Sequence, residues 1–151
     1  MQARRPVCAL ATTRRAARLL TQLYDSHLSA YGIEAAQFAM LMTLEASPDK
    51  GQTALAQALG MDKTTVSRNL KVLMSRGWIE SGKGSDARRR QLSLTWEGRE
   101  LLAKATPGWK RAQKSLNDAL SGMEWAAMLA AIHEVSGAAE IAQERFMTSQ
   151  R

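Results

Sequence analysis

Between Lys63 and Arg76 the chain carries no acidic residue, and its apolar positions recur at helical spacing. At about 100° per residue from Val66, Leu70 falls at about 40° and Leu73 at about 340°, which makes one apolar stripe. Ser67, Lys71, Thr64, Ser75 and Arg68 fall between about 100° and 200°, on the opposite side. One face can pack, and the other offers only hydroxyls and cations. An ordinary amphipathic surface helix mixes acids into its polar face, and this one does not. Asp62 suits the N-cap and Gly77 the stop, so a helix is predicted over Lys63–Ser75. Upstream, Gln52 to Leu59 reads as a short helix with Leu55 and Leu59 on its apolar side, broken at Gly60-Met61. Two short helices across a tight turn form a helix-turn-helix. Lys63, Thr64, Thr65, Ser67, Arg68 and Lys71 then become candidate contacts to a nucleic acid, because such side chains can donate to guanine acceptors and phosphate oxygens.

Two short strands are predicted next, Trp78 to Ser81 and Gln91 to Thr95, the second turning Leu92 and Leu94 inward and Ser93 outward. The loop between them carries Lys83, Asp86, Arg88, Arg89 and Arg90. A basic hairpin after a helix-turn-helix is a wing, and its arginines suit a narrow A·T-rich minor groove. Asp86 is placed to hold Arg88 extended through a charge-assisted hydrogen bond.

Charge placement agrees. Residues 48–111 hold 13 Lys/Arg against 6 Asp/Glu, a surplus equal to the +7 of the whole chain, while the flanking segments carry +2 and −2. A polyanion partner is implied for the middle alone. The remaining sequence, rich in Ala, Leu and Met and 5% aromatic, leans helical. One helix is predicted from about Val7 to Tyr31, a second from Glu34 to Ala46, and a third from Trp96 that breaks or kinks at Pro107-Gly108. The rest is helical to about Met147, interrupted near Ser121-Gly122. Trp125, Met128, Leu129, Ile132, Val135, Ala139 and Phe146 recur at three- and four-residue spacing in this last segment. A winged-helix core needs only about 70 residues, so apolar-faced helices at both ends call for a second copy of the chain to cover them. The reading is a mainly α protein with a small β-hairpin wing: an N-terminal dimerisation helix over 1–34, a winged helix-turn-helix over 35–106 and C-terminal dimerisation helices over 107–151.

These residues resemble the MarR family of bacterial transcription regulators. Asp86-Ala87-Arg88, then Leu94-Thr95 after a five-residue gap, reproduces that family's wing signature. Leu55-Ala56, Thr65-Val66-Ser67-Arg68, Leu73 and Gly77-Trp78-Ile79-Glu80 are similar to its helix-turn-helix and wing entry. Arg14 to Arg18, Leu23-Tyr24-Asp25, Gly32-Ile33 and Gln37-Phe38 extend the likeness over nearly the whole chain. The resemblance implies a homodimer that binds a palindromic double-stranded operator, commonly as a repressor, and lets go when a small aromatic or lipophilic effector, or an oxidant, acts on it. Tyr24, His27, Tyr31 and Trp109 are the candidate effector-pocket residues, between the dimerisation helices and the winged helix.

The oxidant alternative rests on Cys8, near the start of the first helix. Peroxide sensors of this family resemble one another in setting tyrosines around such a cysteine. Here Thr12 and Gln22 occupy those positions and Tyr24 is off register, so small-molecule sensing is preferred. The other alternative is a protein that coats DNA or structured RNA without sequence preference, for which specific and non-specific affinities would be nearly equal. No catalytic residue is predicted, since phosphate loops and nucleophile elbows are absent. Two histidines and one cysteine argue against a metal site, and no cofactor is called for. Without a membrane-length apolar run or signal peptide, the expectation is a soluble cytoplasmic chain.

Overall fold

The apolar stripe of Val66, Leu70 and Leu73 is buried as its spacing requires, and the rest of the core assembles around it. The computed structural model describes residues 8–48, 51–83 and 90–150. In chain order they form α1 (Ala9–Leu28), a 3-10 turn (Ser29–Tyr31), α2 (Ala35–Ala46), α3 (Gln52–Leu59), α4 (Lys63–Ser75), β1 (Ile79–Lys83), β2 (Arg90–Leu94), α5 (Trp96–Ala119) and α6 (Trp125–Ser149). Two compact units result, one ending at Ala112 and the other starting at Gln113.

In the first unit α2 is the central helix and touches α1, α3, α4 and β2. Its Phe38, Met40, Leu41 and Leu44 are buried, and each such side chain contributes roughly 1.5–3 kcal/mol on leaving water. Its start is tightly specified. Glu34 and Gln37 form a reciprocal capping box, and Asp25 Oδ1 accepts the Ala35 N–H at 2.7 Å. Gly32, at φ 70°, closes the turn that brings the end of α1 round to that cap.

β1 and β2 pair antiparallel with Ile79 opposite Leu94 and Lys83 opposite Arg90. Leu92 and Leu94 point into the core, each 3% exposed. The strands begin and end differently from the sequence expectation. Trp78 lies before β1, its N–H donating to Leu73 O at 3.0 Å and its carbonyl accepting the Thr95 N–H at 3.1 Å. Thr95 lies after β2, where its hydroxyl donates to Gly77 O at 2.7 Å and accepts the Gly98 N–H at 3.0 Å. A threonine oxygen that reaches free helix-start N–H groups serves better as a cap than as a strand residue. The same closure explains Gly98. A β-carbon there would lie 1.9 Å from the Trp78 carbonyl oxygen.

Of the break or kink expected at Pro107-Gly108, the break does not occur, and α5 runs through both residues. Gly98, Leu102, Ala105, Gly108 and Ala112 are buried in one continuous stripe past the proline. That packing outweighs the roughly 3 kcal/mol a mid-helix proline costs. Gly108 is a contact residue rather than a stop, because a β-carbon there would come within 2.6 Å of the Tyr31 ring and 2.7 Å of the His27 carbonyl.

The second unit holds the end of α5 and α6, joined through Gly122 at φ 78° near the interruption expected from the sequence. No residue of α6 is buried, and Leu129, Ile132, Val135, Ile141, Phe146 and Met147 are exposed. Among the described residues no helix is long and apolar enough to cross a membrane.

Candidate nucleic-acid interface

The acid-free helix α4 begins at a firmly tied cap. Asp62 Oδ1 accepts the Thr65 N–H at 2.8 Å and Oδ2 accepts the Thr65 hydroxyl at 2.6 Å. These two bonds, the hydroxyl's first, hold the Asp62 carboxyl below its ordinary pKa, so the cap stays an acceptor at neutral pH. The amide of buried Asn69 donates to Thr65 O at 3.0 Å on the same side. With its N-terminus held and its inner stripe packed, α4 has one rotational setting and turns its acid-free face outward.

That face is a shallow concavity of about 450 Å³ lined by Lys63, Thr64, Ser67, Arg68, Lys71 and Gln52. Lys63, Thr64, Arg68 and Lys71 are exposed and Ser67 half-buried. Five of the expected residues therefore come together. Thr65 stands apart, half-buried and with its hydroxyl committed to Asp62. Gln52 was not anticipated from the sequence. It opens α3 across the turn from α4, and the signal was its place as first residue of the first motif helix. Arg76, one turn past the face, sits over the Trp78 ring at 5.6 Å and is turned toward the hairpin. In the wing, Lys83 and Arg90 are backbone partners at the open end of the ladder. Asp86, Arg88 and Arg89 lie outside the described residues, as does the expected Asp86–Arg88 contact.

The four candidate pocket residues divide into two pairs. Tyr24 and Trp109 line an apolar cavity of about 280 Å³ together with Leu28, Phe38, Met42 and Leu59. Trp109 stacks on Phe38 with ring centroids 6.3 Å apart, and burial pushes the Tyr24 phenol above its ordinary pKa. Tyr31 and His27 instead flank Gly108, and the Tyr31 hydroxyl accepts from Arg111 Nη2 at 3.0 Å. Cys8 is exposed as the residue before α1, and its carbonyl accepts the Thr12 hydroxyl at 3.0 Å. Among the described residues no group of three His, Cys, Asp or Glu is placed to hold a metal ion.

A helix-turn-helix with a cationic outer face, followed by a two-stranded hairpin docked on α4, defines a winged helix-turn-helix protein. Known proteins place it more narrowly. The sequence profile of the MarR family matches residues 31–91. The transcriptional repressor MprA of Escherichia coli (strain K12) is 31% identical over 125 residues, which cover 79% of this chain and 71% of MprA. The crystal structure of the M. tuberculosis transcriptional regulator MosR in complex with DNA matches with a TM-score of 0.80 at 34% identity, covering 90% of this chain and 98% of MosR. The PcaV regulator of Streptomyces coelicolor, in complex with its natural ligand, matches with a TM-score of 0.75 at 26% identity, covering 89% and 99%. The chain belongs to the MarR family, and is a winged-helix transcription regulator rather than an enzyme.

Proposed function

We propose that this regulator binds an inverted-repeat operator in double-stranded DNA as a homodimer, represses from it, and releases it when a small lipophilic effector binds. The single observation that carries the DNA reading is the acid-free outer face of α4, where Lys63, Thr64, Ser67, Arg68 and Lys71 converge with Gln52. MosR, similar over nearly all of its length, was crystallised with DNA, and MprA is a repressor. The dimer reading rests on the exposed apolar stripe of α6 and on Leu10 and Leu19 of α1. A two-fold pair of recognition helices would meet half-sites whose centres lie about 10 bp apart or nearly so. Binding the operator places the chain in the cytoplasm.

Operator titration with sedimentation tests this. The expected result is a dimer at micromolar concentration that prefers its operator on the order of 10³-fold over random duplex. Affinity should also fall steeply with salt as phosphates are neutralised. Equal affinity for operator and random DNA would point to a coating protein instead.

The effector reading rests on the cavity between Tyr24 and Trp109. At about 280 Å³ it suits a molecule of one or two rings. Its described lining includes no Lys or Arg, so a neutral ring compound fits it better than an aromatic acid. Such a compound should quench Trp109 fluorescence and loosen the operator, and Leu59→Trp, which fills the cavity, should abolish both. Quenching without loss of DNA affinity would leave the cavity as packing space only.

A further inference from the structure

Two helices leave charged edges unanswered. On α1, every residue from Ala9 to Leu19 is exposed, with Leu10 67% and Leu19 48% accessible. Counted from Leu10 at about 100° per residue, Ala17 and Leu20 stand at about 340° and 280° on its own side, and Leu19 at about 180° away from it. Arg14 and Arg18, at about 40° and 80° and one turn apart, follow one edge of the Leu10 side. No acid precedes Asp25 in this helix. On α6 the apolar stripe of Trp125, Leu129, Ile132, Ala139 and Phe146 has the opposite border. Counted from Trp125, Glu140 and Glu144 stand at about 60° and 100°, while the cation Arg145 lies at about 200° on the far side. The salt bridges among the described residues join Arg99 to Glu45, Lys104 to Glu100 and Lys114 to Asp118. None of them uses Arg14, Arg18, Glu140 or Glu144.

We propose that in the dimer the Arg14–Arg18 edge of α1 in one protomer lies against the Glu140–Glu144 edge of α6 in its partner, and that this pairing selects which chains associate. The inference rests on the dimer reading above and assigns the surface through which it is specified. Apolar stripes such as these are poorly selective by themselves, since any two would bury similar area. Charges along the stripe borders supply the choice, as flanking positions do in coiled coils. An α1 edge set against another α1 edge places arginines together, and α6 against α6 places glutamates together. Only the α1-to-α6 arrangement opposes unlike charges, and two-fold symmetry repeats it. Another winged-helix regulator with a different border pattern would meet like charges and be rejected.

The test is a charge exchange. One full-length variant carries Arg14→Glu with Arg18→Glu, and a second carries Glu140→Arg with Glu144→Arg. All four positions are exposed, so both should keep the circular dichroism of folded protein and a cooperative transition, its midpoint lowered only as far as the dimer is weakened. Each alone should dissociate at a concentration at least tenfold above that of the wild type by analytical ultracentrifugation. Mixed in equal amounts, they should form a heterodimer of near wild-type stability, visible by native mass spectrometry. Should either variant fail to fold, Arg14→Gln with Arg18→Gln and Glu140→Gln with Glu144→Gln give the same readout of weakened self-association. A wild-type dimer whose variants dissociate no more readily than it does would overturn the pairing and leave the dimer intact. So would variants that weaken singly but gain nothing on mixing, because the two edges would then not face each other across the dimer. A wild type that is monomeric at micromolar concentration would remove the dimer itself.

Discussion

Arg68→Ala is expected to weaken operator binding by ~1–3 kcal/mol, roughly tenfold to a hundredfold, and to relax the preference at particular base pairs. The reason is position. Arg68 is exposed on the outer face of α4, about opposite the buried Val66, in a concavity it shares with Thr64, Ser67 and Lys71. An arginine so placed can make the paired donation to guanine that a point-like ammonium cannot. Lys71→Ala removes a cation from the same face but no fork, so its loss should be uniform across sequences and should reduce the salt slope by about one. Thermal stability should hardly move in either variant, since neither side chain enters the core. Thr65→Val provides the contrast. It deletes the hydroxyl bond to Asp62 and should lower the melting temperature slightly while leaving base preference intact. Titration of each variant against an operator series with single base-pair changes separates these outcomes. If Arg68→Ala lost affinity equally at every sequence, Arg68 would be a phosphate contact and base reading would have to come from Gln52, Thr64 or Ser67.

What the sequence made legible is local. The bounds of α4 follow from Asp62, Gly77 and the Val66-Leu70-Leu73 spacing, and the structure has the same bounds. The inward turn of Leu92 and Leu94 follows from strand alternation. What escaped it depends on contacts between distant segments. Pro107-Gly108 has turn chemistry, yet the tyrosine ring and histidine backbone that press on Gly108 come from the 3-10 turn after α1 and from the end of α1 itself. Thr95 alternates correctly for a strand, but the Gly77 carbonyl and Gly98 amide compete for its oxygen and win. The partner of the Tyr31 hydroxyl, Arg111, stands eighty residues away, so that bond was not legible either. The candidate interface was legible in its cations because they sit on one helix. Gln52 was not, because only the turn at Gly60 brings the start of α3 beside it.

Gly98→Ala is expected to have the largest effect on stability. The added carbon would sit 1.9 Å from the Trp78 carbonyl oxygen and 2.9 Å from its carbonyl carbon, and both are backbone atoms. A side chain in that position could rotate away, whereas this carbonyl is held by the Thr95 N–H and by the start of β1. The helix cannot retreat either, since Thr95 binds Gly98 N on one side and Gly77 O on the other. Either the hairpin lifts from α5 or the first turn of α5 unwinds. Clashes of this kind cost ~3 kcal/mol or more, on the order of a 10 °C loss in melting temperature for a chain of this size. Gly137→Ala is the contrast within one protomer: nothing in the same chain lies within 4 Å of a β-carbon there, and mid-helix alanine should add up to ~1 kcal/mol to the monomer, apart from any effect on the neighbouring Glu140–Glu144 edge. Both should be melted at one protein concentration, because dimer formation contributes to the midpoint. Since β1 leads directly from Trp78, the Gly98 variant should also bind operator more weakly at temperatures where it is still folded, with its salt slope reduced as wing contacts are lost. A Gly98→Ala protein that melts within about 2 °C of the wild type would mean that the hairpin is not fixed by this contact. Strong melting loss with DNA binding unchanged below the transition would separate the two roles, leaving Gly98 to the core and the wing to find its position on DNA.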